Sequence, residues 1–116
     1  MVVSPDEFGH EKAYDVMKYI IDHAWANRRT IYYKDIADNV LMSGSDGIDV
    51  RFPLGAIIEF LKLHGLPHLN ELVVNKNTKR PGSWAFDDAD SEAEQRWQRH
   101  IAEIYAFNWR RLKFRK

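Results

Sequence analysis

No cysteine occurs anywhere in the 116 residues of this chain, and that absence narrows what it can fold into. A domain this small steadies its limited core with disulfides, with cysteine-bound metal, or with dense packing. The first two need thiols, so packing remains. The means are present: four Trp, five Tyr and six Phe, rings that each bury about 150–250 Å² in a core. Hydrophobic residues make up 45% of the chain, too many for a disordered segment and enough for one globular domain. The same absence removes thiolate nucleophiles and cysteine-ligated zinc from the possible chemistry.

No apolar run approaches the roughly 20 residues that span a bilayer. The opening Met1-Val2-Val3-Ser4-Pro5-Asp6-Glu7 lacks the basic start and apolar stretch of a secretory leader, so a cytoplasmic protein without membrane contact is expected. Lysine and arginine balance aspartate and glutamate at 17 each. A dedicated nucleic-acid binder is usually more basic, but the charges are segregated. Asp87, Asp88, Asp90, Glu92 and Glu94 form an acidic run without a base. Arg110, Arg111, Lys113, Arg115 and Lys116 form a basic run without an acid.

Periodicity orders the elements. Ser4, Pro5 and Glu7 have the form of a capping box with Pro at the first helical position. Ala13, Val16, Met17, Ile20 and Ala24 continue at helical spacing to about Asn27. Thr30-Ile31-Tyr32 reads as a brief strand, and Ile36, Ala37 and Val40 support a second helix from Tyr33 to Met42. Ser43 to Gly47 is a loop. Pro53 is expected to open a third helix carrying Leu54, Ile57, Ile58 and Leu61, stopped by Gly65 and Pro67. Glu71 to Asn75 and Ser83 to Phe86 read as two strands joined by a polar turn with Pro81-Gly82. Ser91 and Glu94 cap a last helix with Ala93, Trp97, Ile101, Ile104 and Tyr105 on one face. The expected fold class is therefore mostly α with a small β-hairpin, an α+β chain. It is a single winged helix-turn-helix-like domain over residues 1–109 with an added C-terminal helix. Residues 110–116 form a basic tail.

Thr30-Ile31-Tyr32-Tyr33-Lys34-Asp35-Ile36-Ala37, Leu54-Gly55-Ala56-Ile57 and Leu72-Val73-Val74-Asn75 together resemble part of a known family. That family is the alkylguanine-DNA alkyltransferases and alkyltransferase-like proteins, in the winged-helix C-terminal domain. There a Thr-x-x-Tyr-Gly-x-Ile-Ala entry leads into the second helix, a Val-Gly pair lies in the third, and a Pro-Cys-His-Arg-Val-Val strand carries the nucleophile. The resemblance spans about residues 30–82 and implies the winged-helix fold. It departs at the functional positions: Asn70 stands where the nucleophilic Cys belongs, Glu71 at the His and Leu72 at the Arg. Lys34 replaces the family's Gly, and Arg51 lies one residue further from Gly55 than the family's intercalating Arg. Without a thiol there is no acceptor for an alkyl group, and a shared fold does not carry a shared activity.

Lys76, Lys79 and Arg80 at the tip of the expected wing are the foremost candidates for phosphate contact, and Arg80 is placed to enter a minor groove. The alternative is a solvated turn. The basic run, with Arg110, Arg111 and Lys113 beside Trp109 and Phe114, suits a phosphate backbone with rings to stack or anchor; it equally suits a solvated end whose rings pack inward. The third helix offers only Arg51 near its start for reading bases, and the ten residues from Ser43 to Phe52 are long for a helix-turn-helix connection. Sequence-specific reading is not expected. His64 and His68 are separated by Gly65 and Pro67, and no acid stands at ligand spacing, so neither metal nor cofactor is expected. No catalytic constellation stands out. Two functions remain open: a non-catalytic domain gripping the backbone of duplex DNA, and a small protein-interaction module serving as an accessory or inhibitory factor.

Overall fold

The computed structural model describes residues 1–10, 12–41, 48–81 and 91–115, with backbone alone at 48, 49 and 91. The chain enters through β1 (Val2–Val3) and a 3₁₀ turn at Pro5–Phe8. The Ser4 N–H donates to the Glu7 carboxylate at 3.2 Å, the backbone half of the expected capping box. Gly9, at φ 65°, ends this turn, a conformation L side chains avoid. The first helix is therefore split there. Its main part, α1 (Ala13–Ile20), continues as a wider turn, Ile21–Trp25. Tyr14, Val16, Met17, Ile20 and Ala24 are buried.

β2 (Ile31–Tyr32) leads into α2 (Tyr33–Ile36) and a second wide turn, Ala37–Leu41. The Asp35 carboxylate accepts the Tyr32 N–H at 2.9 Å, fixing the point where strand becomes helix. α3 runs over Ile48–Leu63, so Pro53 lies in its second turn rather than at its start. There the ring forfeits one backbone bond, and Val50, fully buried, holds the preceding turn against the core. The stretch expected to connect the two helices thus contributes its last five residues, 48–52, to α3. Gly65 ends α3 as expected: at φ 63° it donates to Lys62 O, and Leu66 N donates back to Leu61 O at 2.9 Å. Those two bonds make a Schellman cap.

A 3₁₀ turn at Leu69–Leu72 takes the first half of the strand expected from Glu71, leaving β3 as Val73–Val74. β3 pairs in parallel with β2, Ile31 opposite Val73 and Tyr32 opposite Val74. Its expected hairpin partner, Ser83 to Phe86, lies outside the described residues, as do the Ser43 to Gly47 loop and the side chain of Ser91. α4 (Ser91–Ala106) follows, then a 3₁₀ turn at Trp109–Arg111 and β4 (Lys113–Phe114). β4 pairs in parallel with β1, joining the two ends of the described chain.

The described residues are mostly helical, with two small parallel sheets around one buried cluster. Of the expected core, Val16, Ile20, Ile57, Leu61 and Trp97 are buried and Ile101 packs partly exposed against the cluster. Residues 110–115 pack on the rest of the described chain: beside the fully buried Trp109, Leu112 is buried and Phe114 packs edge-on against Tyr14. Trp109 also donates its indole N–H to Ile104 O at 3.0 Å, which ties the turn to the end of α4. Among the described residues no helix is long and apolar enough to cross a membrane.

Candidate nucleic-acid interface

The turn after β3 closes on Asn75. Its side-chain oxygen accepts from Asn77 N at 2.8 Å and Thr78 N at 3.3 Å, while its backbone exchanges bonds with Lys79 and Arg80. Lys79 sits at φ 60°, and this reverses the chain so that two of the three wing cations point back at the protein. Lys79 Nζ lies 2.5 Å from Tyr32 Oη and 4.5 Å from the centre of that ring. Arg80 pairs with Glu94 of α4 at 2.9 Å and lies over the Trp97 ring at 5.2 Å. Lys76 is exposed and has no such anchor among the described residues.

The C-terminal cations face outward from a firmer base. Lys113 N donates to Met1 O at 2.8 Å and Arg115 N to Val3 O at 2.9 Å. Both therefore occupy equivalent positions on the ladder, with side chains on one face about 6.6 Å apart. Together with Lys18 of α1 they border an open groove of about 380 Å³, floored by Ile21, Trp109, Leu112 and Phe114. Arg110 closes one side, held at 3.1 Å by Asp22 and 5.6 Å above Trp25. Four cations thus meet one carboxylate. Lys18, Lys113 and Arg115 make no ion pair among the described residues. Arg111 is exposed next to the groove, and Arg51 is exposed at the start of α3.

The expected interface is divided. Arg80 is anchored in the first turn of α4, and Arg110 follows its last. A helix of 16 residues extends about 24 Å, so wing and C-terminal cations stand at opposite ends of α4. Lys18 and Asp22 escaped the sequence reading, although their spacing of four puts them on one face of α1, opposite Val16 and Ile20.

A second constellation was not foreseen. Glu71, only 4% exposed, has Oε2 at 2.7 Å from His100 Nδ1, and the His68 ring stacks on His100 at 4.7 Å. Burial, reinforced by nearby Glu103, pushes the Glu71 carboxyl up to about 8. Burial and the His68 ring lower His100. Both shifts favour the neutral forms of this close pair. The only sequence sign was an acid inside the apolar run Leu69 to Val74. Asn70, at the position matching the family's nucleophile, donates its amide to Leu54 O at 2.8 Å and so serves to tie this turn to α3. His64 stacks on Phe60, away from His68. Among the described residues no three metal-ligating side chains converge. No protein family matches the chain, nor does any curated protein or solved structure.

Proposed function

We propose that this chain is a non-catalytic winged-helix variant that binds DNA through the phosphate backbone. The observation that carries the reading is the groove between α1 and β4, where Lys18, Lys113 and Arg115 face solvent, with no ion pair among the described residues, on elements fixed by the buried Trp109. Preset cations on rigid strands lose little freedom on meeting phosphates. The wing gives a smaller share through Lys76, with Lys79 available when it leaves Tyr32. Parallel pairing of β2 with β3, ahead of the Asn75 turn, is compatible with the winged-helix order that residues 30–82 resemble. Any kinship with the alkyltransferases is then one of fold, because the nucleophile's position holds Asn70.

Fluorescence anisotropy with a labelled duplex tests the reading. Binding should be weak, indifferent to sequence and salt-sensitive, each phosphate contact adding about −0.9 to the log–log salt slope. Lys113→Glu with Arg115→Glu should flatten that slope by about two contacts. A wild-type protein that binds no DNA, duplex or single-stranded, at low salt refutes it. One observation favours the second reading, a protein-interaction module: Phe52 and Leu63 stand 66% and 79% exposed on the outward side of α3, a poor surface for bases and a suitable one for another protein.

A further inference from the structure

The groove does not end at Asp22. A second depression, of about 300 Å³, shares Lys18 and Asp22 with it and continues across the outer face of α1 past Tyr19, His23 and Asn39. Tyr19 and His23, four residues apart, stack with ring centroids 4.3 Å apart, and Asn39 donates its amide to Tyr19 Oη at 3.3 Å. The cations therefore lie at one end of a continuous ledge, and rings with hydrogen-bonding edges lie at the other.

We infer that this ledge holds a single strand of nucleic acid, its phosphates along Lys113, Arg115 and Lys18 and an unstacked base against the Tyr19–His23 pair. The inference rests on the backbone-binding reading above and specifies the form of nucleic acid that the site takes. The ledge favours a single strand over a duplex, because its rings have nothing to engage in a duplex backbone, while every unpaired base has a face to stack. The spacing also fits: alternate residues of an extended strand are about 6.6 Å apart, close to the separation of neighbouring phosphates along one strand. Acidic groups bordering the ring end, Asp15 and Asp22, keep phosphates away from it and can accept from amino groups on base edges.

The test is anisotropy with a labelled oligothymidylate and a labelled duplex of equal length, at the same low salt, on the intact protein. The single strand is expected to bind at least about fivefold more tightly than the duplex. His23→Ala, at an exposed position, should weaken single-strand binding about fivefold or more, the scale of one lost stacking contact, and leave duplex binding unchanged. Lys113→Glu should weaken single-strand binding about tenfold or more, and Lys62→Glu, an equal charge change on the exposed side of α3, much less. Thermal melts of each variant verify that the fold is kept. Duplex binding equal to or tighter than single-strand binding overturns the inference and leaves the backbone reading intact, as does a His23→Ala variant with unaltered single-strand affinity. Failure of both nucleic acids to bind overturns the two together.

Discussion

Replacing Glu71 by Gln and following stability against pH probes the buried pair directly. The carboxyl titrates near 4.5 in a solvated chain and about 8 in the folded protein. Between those values the folded state holds a proton that the unfolded state has released. Stability from this group is complete below about pH 4.5 and is lost as pH rises toward 8. The slope approaches 1.4 kcal/mol per pH unit for one proton. His100 works in the opposite sense, because its folded value is lowered: it adds stability as pH rises toward its ordinary 6.5. Most of that contribution is in place by about pH 7, and above it Glu71 dominates the slope.

From pH 6.5 to 8 the wild-type protein should therefore lose roughly 1.5 kcal/mol, a reduction of about 6 °C in Tm for a domain of this size. Urea unfolding at half-unit pH steps measures it. Glu71→Gln keeps the shape and a polar edge toward His100 but cannot ionise. Subtracting its profile from the wild type's isolates the one group, and the variant should be the more stable protein above pH 8. The reasoning is refuted by a wild-type profile flat from 6.5 to 8.5, or by a Gln variant that retains the slope.

Trp97→Ala should cost about 3–5 kcal/mol, since it empties a core position and removes the indole bond to Glu71 O at 3.1 Å; a thermal melt reads it, and an unchanged midpoint would mean that α4 is not docked. Gly65→Ala should cost about 1–2 kcal/mol because residue 65 must keep φ positive, and chemical denaturation checks this. Lys76→Glu with Lys79→Glu should reduce duplex affinity less than Lys113→Glu with Arg115→Glu does, since Lys79 already rests on Tyr32; the reverse order in anisotropy would return the wing to first place.

What the sequence revealed and what it concealed divide along one physical line. Local rules operate within a few residues, and they foretold the Gly65 stop, the Ser4–Glu7 cap, the inward face of α4 and the burial of Ile57 and Leu61. Pro53 misled because a proline best suits a helix start and, a turn inside, costs a bond and crowds the preceding turn; here the burial of Val50 outweighs that cost. The parallel pairings β1 with β4 and β2 with β3 join segments far apart in the chain, and no local pattern announces them. The same holds for the site. The cations at Lys113 and Arg115 were visible as a run, but the groove they border also needs Lys18 and Asp22, which only the docking of the C-terminal segment on α1 brings near. Glu71 and His100, 29 positions apart, looked unrelated for the same reason.

The zero net charge, which weighs against a nucleic-acid binder when taken as a sum, weighs less once each charge is located. Electrostatic attraction depends on what a ligand meets within about 10 Å, the distance over which salt screens at 0.1 M. On α4 the acid Glu94 faces Arg80 at 2.9 Å, so that pair contributes little to the field beyond it. About 24 Å away, by the length of α4, the C-terminal groove has one carboxylate, Asp22, and that is already matched to Arg110. Lys18, Lys113 and Arg115 are left to act in concert. A neutral chain can thus present a locally cationic groove, where Lys18, Arg110, Lys113 and Arg115 outnumber the neighbouring acids Asp15 and Asp22. On the proposed reading, that arrangement would hold a polyanion more locally than a uniformly basic surface does. It also means that moving a carboxylate into the groove, as Lys113→Glu does, should affect binding far more than the same charge change at Lys62.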